Sequence, residues 1–154
     1  MAEHSYGILL YRKGESGVEV LLCHSGGPFF AKKDKGWWSI PKGIANEGEE
    51  PLDAARREFK EEIGFMPEGE FISLGIVRQK GGKIVEAWAV EGDLPEGWKL
   101  NCSTFFTIEW PPRSGQKKSF PEIDKAEFFP LAEARGKINE AQRDFLDRLE
   151  KIKG

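Results

Sequence analysis

Three glutamates near the end of one predicted helix are the residues of this chain best suited to chemistry. Glu58, Glu61 and Glu62 recur at three- and four-residue spacings, which make side chains neighbours on a helix surface. Like charges at these spacings destabilise a helix, and carboxylate oxygens are the ligands that Mg²⁺ and Mn²⁺ prefer. The cluster therefore predicts either a cation site or a solvated acidic face, and the surrounding residues must decide between them.

The helix that carries these glutamates is predicted to run from Pro51 to Ile63. Proline is tolerated in the first turn of a helix, and Gly64 is a natural stop at the other end. Arg57 lies four residues before Glu61, so the two side chains are expected to form an ion pair. The buried face is predicted from apolar residues at helical intervals, which are Leu52, Ala55, Phe59 and Ile63.

The spacing of the segment around this helix resembles the signature of the Nudix hydrolases. A glycine is followed after five residues by a glutamate and, after seven more, by the run that contains the acidic cluster. Agreement at nine positions favours the cation site over the solvated face. The matching positions are Gly43, Glu49, Arg57, Glu58, Phe59, Glu61, Glu62, Gly64 and Phe65.

This resemblance implies a fold and a reaction. The fold is an α/β/α sandwich in which a mixed sheet lies between helices, and the reaction is the hydrolysis of a nucleoside diphosphate linked to another group. Arg57 would orient the carboxylates, and Glu49 would pair with Arg57. Magnesium, with manganese as the alternative, would be held by Glu58, Glu61, Glu62 and the backbone carbonyl of Gly43.

The general base is left open by the resemblance. Glu61 and Glu62 are both candidates within the signature. A further carboxylate outside it is expected to complete the site, either as a ligand or as a base. Glu122, just ahead of a short predicted strand, is the first candidate, and Glu109 is its competitor.

The segment before the signature indicates the substrate. Trp38 to Gly43 resembles the W-x-x-P-K-G entry of dinucleoside polyphosphate hydrolases in this superfamily. Lys42 would then contact a distal phosphate. Lys33, in a lysine-rich loop with Lys32 and Lys35, would extend that contact. Five aromatic residues are available to stack on a base, of which Trp37 is the best candidate; the others are Phe29, Phe30, Trp88 and Phe106.

Three functions are compatible with these residues. A magnesium-dependent hydrolase of dinucleoside polyphosphates is favoured by the entry segment. Hydrolysis of an oxidised nucleoside triphosphate keeps the same chemistry with another substrate. A catalytically silent nucleotide-binding domain is disfavoured because all three motif carboxylates are present.

Composition limits the remaining possibilities. The 154 residues suit a single domain, 1–154, and a net charge of -3 does not favour binding to duplex nucleic acid. No apolar run is long enough to suggest a membrane span. Two cysteines without a CxxC motif favour the cytoplasm, and two scattered histidines exclude a zinc site or a catalytic triad. A monomer or a homodimer is expected.

Strands and helices alternate along the chain, which favours a mixed sheet. Helices are expected at 51–63, 131–138 and 139–153. The segment 110–122 is predicted to be irregular because it contains several prolines. Strands are predicted at 5–12, 18–24, 70–80, 83–90, 104–110 and 126–131.

Overall fold

A mixed seven-stranded sheet forms the centre of the protein. The computed structural model describes residues 3–153. The strands of this sheet are β1 (His4–Gly14), β2 (Gly17–Ser25), β3 (Trp38–Ser39), β4 (Lys42–Ile44), β5 (Ile72–Arg78), β6 (Ile84–Glu91) and β9 (Ile123–Pro130). Their order is β3-β2-β1-β6-β5, with β4 paired to β1 and β9 paired to β2. β1 runs parallel to β6 and antiparallel to β2 and β4.

Both faces of this sheet are covered by helices. Leu9 and Tyr11 of β1 lie in one apolar cluster, whereas Ile8 and Leu10 lie in another. Since alternate residues of a strand face opposite sides, the two clusters are the two faces of the sheet. The helices are α1 (Pro51–Ile63), on the Ile8 side, and α2 (Leu131–Lys137) and α3 (Arg143–Lys153), on the Leu9 side. This arrangement confirms the predicted sandwich.

The ends of α1 lie where the sequence places them. Pro51 occupies the first turn, and Gly64 adopts a left-handed backbone with φ of 98°. Its N–H donates to the carbonyl of Lys60 at 2.9 Å, which ends the helix. Ala55, Phe59 and Ile63 are buried, as the apolar stripe predicts.

A second sheet of two strands contradicts the predicted irregular segment. β7 (Phe105–Glu109) pairs antiparallel with β8 (Lys117–Pro121), although 110–122 was expected to lack regular structure. Pro111 and Pro112 lie in the turn, and Pro121 ends β8, so the prolines remove no hydrogen bond from the middle of the ladder. The hairpin leads through Glu122 directly into β9.

The C-terminal helix begins later than predicted, at Arg143. Residues 140–142 form a 3-10 turn whose cap is Asn139, because its side-chain oxygen accepts from the N–H of Ala141 at 2.9 Å. No helix within residues 3–153 is both long enough and apolar enough to cross a membrane.

Phe59 is expected to be a main source of stability on the α1 side. It is fully buried and meets the ring of Phe65 edge-on at 5.3 Å. Phe59→Ala should lower the free energy of unfolding by about 3–5 kcal/mol in urea denaturation. Phe105→Ala is the matched control, because that ring is 59% exposed and its loss should cost far less. Equal losses in the two variants would contradict this packing.

Candidate active site

The backbone of β4 brings one end of the site against α1. Gly43 pairs with Tyr6 of β1, and the packing of α1 on the same sheet places the Glu58 carboxylate beside Gly43. A side-chain carbon at position 43 would overlap that carboxylate. Any larger residue at position 43 would therefore displace the Glu58 carboxylate from its place beside the β4 backbone.

The Arg57 guanidinium holds the acidic cluster together. Its Nε and Nη2 donate to the two Glu49 oxygens at 2.9 and 3.0 Å, and Nη2 also donates to the carbonyl of Ile44 at 2.9 Å. Its Nη1 donates to Glu58 and to Glu61, each at 3.1 Å. Five contacts thus match the five N–H groups that a guanidinium carries. The Glu49 hydrogen bonds contribute most to raising the Arg57 pKa.

These contacts include both ion pairs predicted for Arg57, with Glu61 and with Glu49. The Glu49 carboxylate also accepts the N–H of Asn46 at 2.9 Å, and its pKa is lowered mainly by Arg57. Glu49 therefore ties the loop after β4 to the helix. Arg57 in turn fixes the direction in which Glu58 and Glu61 point.

Glu62 does not lie on the surface patch predicted for the cluster. It is 4% exposed, and within residues 3–153 its Oε2 atom is buried without a hydrogen-bond partner. Burial, and then the charges of Glu58 and Glu122, raise its pKa well above the ordinary value. The helical period explains the burial, because Glu62 follows Ala55 by seven residues and so lies on the same buried stripe.

A cleft of about 190 Å³ opens at Glu62. Lys42 and Glu122 line it together with Glu62, and the Lys42 charge favours the ionised form of Glu62. The remaining lining residues are Cys23, Ser25, Ser39, Ile40 and Ile123. This cleft combines one cationic and two anionic side chains in a small volume.

The structure separates the two candidates for the additional carboxylate. Glu122 lies between β8 and β9, and its N–H and carbonyl are bonded to Thr104 and Gly26 at 3.0 and 2.8 Å. Glu109 does not line the cleft, and its carboxylate accepts the N–H of Arg113 at 2.7 Å within its own hairpin. Glu122 is therefore the one that joins the acidic cluster.

A second, more apolar cleft of about 280 Å³ adjoins the first. Phe30 and Phe106 are its aromatic walls, and it shares Ser25 and Glu122 with the cleft at Glu62. The ring of Phe106 lies against Gly27, where any side-chain carbon would collide with it. The close approach of the loop 26–37 to the β7–β8 hairpin thus depends on this glycine.

Two residues predicted to touch substrate lie behind this cleft. Trp37 is 44% exposed and packs on Phe30 with ring centres 5.6 Å apart, and the Lys33 ammonium lies 5.5 Å from the Trp37 ring. Neither lines either cleft. Phe30 and Phe106 were among the aromatic candidates, but the sequence ranked Trp37 first because it does not show which distant segments come together.

The oxygen atoms of these carboxylates are suitable ligands for a divalent cation, but they do not lie close enough together to form a complete coordination site. Across residues 3–153 no three histidine, cysteine, aspartate or glutamate side chains stand close enough to hold an ion. The fit rests on the partnerless Glu62 oxygen and on the crowding of Glu58 against Gly43. Burial, and then the neighbouring carboxylates Glu61 and Glu122, raise the Glu58 pKa. A hard cation would satisfy and neutralise these groups.

Comparisons with known proteins identify the relatives of this chain. The family model "NUDIX domain" matches residues 2–149. Nudix hydrolase 7 of Arabidopsis thaliana is 32% identical over 130 residues, which cover 82% of this chain and 39% of that protein. The chain therefore spans about two fifths of the length of this relative.

Two further likenesses are shorter or more distant. An RNA pyrophosphohydrolase of Bartonella bacilliformis is 67% identical over only 27 residues, 18% of this chain and 16% of that protein. The crystal structure of a Caenorhabditis elegans Ap4A hydrolase binary complex superposes with a TM-score of 0.68 at 21% identity, over 96% of each chain. This similarity shows that the two proteins share the fold.

The buried Glu62 carboxylate should make the stability of the metal-free protein depend on pH. Because folding raises this pKa, the folded state keeps the proton at pH values where the unfolded chain, with a pKa of about 4.3, has lost it. The stability contribution of Glu62 therefore falls as the pH rises through that window. In EDTA at neutral pH, Glu62→Gln should be more stable than the wild type by about 1–3 kcal/mol.

Thermal unfolding at several pH values checks this expectation. The difference between Glu62→Gln and the wild type should shrink as the pH falls toward 4. Glu109→Gln is the control, since its carboxylate lies outside the cleft. A Glu62→Gln variant that is less stable than the wild type at neutral pH in EDTA would show that the buried carboxylate is satisfied after all.

Proposed function

Since the chain belongs to the Nudix family, we propose that it hydrolyses a phosphorus anhydride and that its substrate is a dinucleoside polyphosphate, with diadenosine polyphosphates first. The observation that carries this proposal is the junction of two clefts. One is walled by Phe30 and Phe106, and the other contains Lys42, Glu62 and Glu122. A flat base would fit the aromatic cleft, and the phosphates would lie beside Lys42, with a bound cation offsetting their repulsion from Glu62 and Glu122.

The carboxylates are proposed to have different roles, and three of them would bind the metal ion. Glu58, Glu61 and Glu62 would hold Mg²⁺ or Mn²⁺, assisted by the Gly43 carbonyl, and Arg57 would keep Glu58 and Glu61 in place. When bound, the ion supplies charge neutralisation for the phosphate oxygens and a more acidic water. Lys42 would contact a phosphate.

The proton acceptor is proposed to be Glu122. Its carboxylate lines both clefts, whereas the Glu61 carboxylate is bound to Arg57 and lines neither. Water would attack a phosphorus, the P–O bond of the anhydride would break, and a proton would pass from the water to Glu122. Glu62, the other candidate within the signature, would remain a ligand.

Residues outside the clefts suggest where the second nucleoside lies. Trp37 and Lys33 form an exposed pair one layer beyond Phe30. The exposed Trp37 indole could stack on the second base, and the Lys33 ammonium could contact a nearby phosphate. Both residues are therefore proposed to contact the part of the substrate that lies outside the clefts. Cys23 and Cys102 carry free thiols, which supports the cytoplasm as the proposed compartment.

Product analysis by chromatography tests the proposal. The protein would be incubated with magnesium and diadenosine tetraphosphate, 8-oxo-dGTP, ADP-ribose, a nucleotide sugar or a 5′-triphosphorylated RNA. We expect cleavage of diadenosine tetraphosphate to ATP and AMP to be fastest. Faster cleavage of 8-oxo-dGTP would favour the oxidised-nucleotide hypothesis. The RNA is included because of the short match to an RNA pyrophosphohydrolase. No turnover with either magnesium or manganese would favour a silent binding domain.

The aromatic cleft should recognise the presence of a base more than its identity. Of its five lining residues, only Ser25 and Glu122 offer polar side-chain groups. Substrates with adenine, guanine or uracil should therefore differ in kcat/KM by less than about tenfold, because stacking tolerates any base. Phe30→Leu and Phe106→Leu should each raise KM by about tenfold, the magnitude typical of one lost stacking contact.

Phe105→Leu is the control for both variants. Phe105 precedes Phe106 on β7, so its side chain faces the opposite side of the hairpin. Its KM should stay near the wild-type value. An unchanged KM in Phe30→Leu and Phe106→Leu would place the base elsewhere.

Gly43→Ala should abolish turnover without unfolding the protein. The added methyl group would overlap the Glu58 carboxylate and push it away from the β4 backbone. We expect kcat to fall at least about a hundredfold, as small misplacements in active sites do. Gly136→Ala is the matched control, because the space around Gly136 is open and its backbone is helical. Activity near wild type in Gly43→Ala would refute the close approach.

A further inference from the structure

We infer that His24 is a positioning residue that fixes the substrate loop, 26–37, to the chain segment that carries Glu122. The inference rests on the proposed function only in naming what this loop contacts. His24 is the last residue of β2 before that strand changes its register with β9, between His24 and Ser25. It therefore lies where the regular sheet ends and the substrate loop begins.

The His24 ring joins two acceptors. It is 1% exposed, with Nδ1 2.7 Å from an oxygen of Asp124 and Nε2 2.6 Å from the carbonyl oxygen of Lys33. A carbonyl has no proton to give, so Nε2 donates to Lys33, and Nδ1 shares a hydrogen bond with the Asp124 carboxylate. The ring also meets Trp38 edge-on at 5.2 Å, which restricts its orientation.

The two hydrogen bonds of His24 form a bridge between Lys33 and Asp124. The Lys33 end of this bridge is connected to Phe30, an aromatic wall of the cleft. The N–H of Lys33 donates to the carbonyl of Phe30 at 2.9 Å, and the Lys33 carbonyl accepts from His24. The turn that contains Phe30 therefore ends at Lys33, whose carbonyl is hydrogen-bonded to His24. Any displacement of Lys33 would be transmitted to the Phe30 ring.

The other end of the bridge leads to the acidic cleft. Asp124 follows Glu122 by two residues at the start of β9. The Glu122 carbonyl accepts the N–H of Gly26 at 2.8 Å, which links the same two segments a second time. His24 consequently sets the distance between the cleft that would hold the base and the carboxylate that would take the proton.

The rest of the loop has anchors of its own. Asp34 accepts from Trp38 Nε1 at 2.8 Å and from Lys137 at 2.7 Å. The N–H of Gly36 is bonded to the carbonyls of Gly136 and Lys137. Loss of His24 should therefore loosen the turn at Phe30 and Lys33 while leaving the loop near Gly36 in place.

Two substitutions separate the ends of the bridge. In His24→Gln the amide nitrogen lies near the former Nε2 and can still donate to the Lys33 carbonyl. In His24→Asn it lies near the former Nδ1 and can reach only Asp124. Both variants replace the buried ring by an amide, so a role limited to overall stability would affect them alike.

Amide hydrogen exchange and steady-state kinetics test the inference. We expect the Lys33 amide to exchange about tenfold faster in His24→Asn than in the wild type, the scale of one lost hydrogen bond. His24→Gln should keep wild-type protection there, and Gly36 should be unchanged in both. KM for diadenosine tetraphosphate should rise in His24→Asn more than in His24→Gln, and kcat should change less than KM.

The exchange result stands without any substrate, so it separates this inference from the proposed function. Equal exchange at Lys33 in the two variants, whether slow or fast, would overturn it. Should His24→Asn fail to fold, His24→Gln still decides. Wild-type protection of Lys33 in that variant supports the bridge, and rapid exchange there overturns it.

Discussion

Three carboxylates of α1 are crowded at one end of the helix, and within residues 3–153 only Arg57 is bonded to two of them. The guanidinium neutralises the Glu58–Glu61 side of the cluster and ties it to Glu49. Glu62 receives no such contact within the part of the chain that the structure describes, and it is buried. The unsatisfied carboxylate is therefore the one on the side of the helix that faces the cleft. A fold carries such a cost where a cation or a substrate compensates it.

The site is built by parts of the chain with different constraints. The sheet and α1 position the acidic cluster, because core packing holds α1 on the sheet and Gly43 leaves room for the Glu58 carboxylate. The loop 26–37 and the β7–β8 hairpin form the walls of the aromatic cleft, and they meet through Gly27 and Phe106. The acidic cluster thus lies on regular elements, whereas the residues proposed to contact a substrate lie on a loop and a hairpin. His24 lies at the boundary between these two parts.

Both ends of α1 were predicted correctly from the sequence, because Pro51 and Gly64 fix them through their backbone conformations alone. The alternation of strands and helices along the chain likewise predicted the mixed sheet. The burial of Glu62 was recoverable from its seven-residue spacing to Ala55, although its charge argued for the surface. Phe30 and Phe106 were recoverable as aromatic candidates, but their pairing in one cleft was not, because they are far apart in sequence and meet only through tertiary packing. Residues of a motif are fixed by spacing, whereas the partners of a substrate loop depend on long-range contacts.

Binding of Mn²⁺ to the purified protein, followed by electron paramagnetic resonance of the free ion at neutral pH, tests the central claim most directly. The account predicts that the wild type binds Mn²⁺ and that Glu62→Gln weakens binding by about tenfold or more, since loss of a ligand costs at least as much as loss of its supporting contacts. Glu109→Gln should bind as the wild type does, because this carboxylate lies in the hairpin. Equal binding by all three proteins would show that the buried carboxylate does not hold the ion.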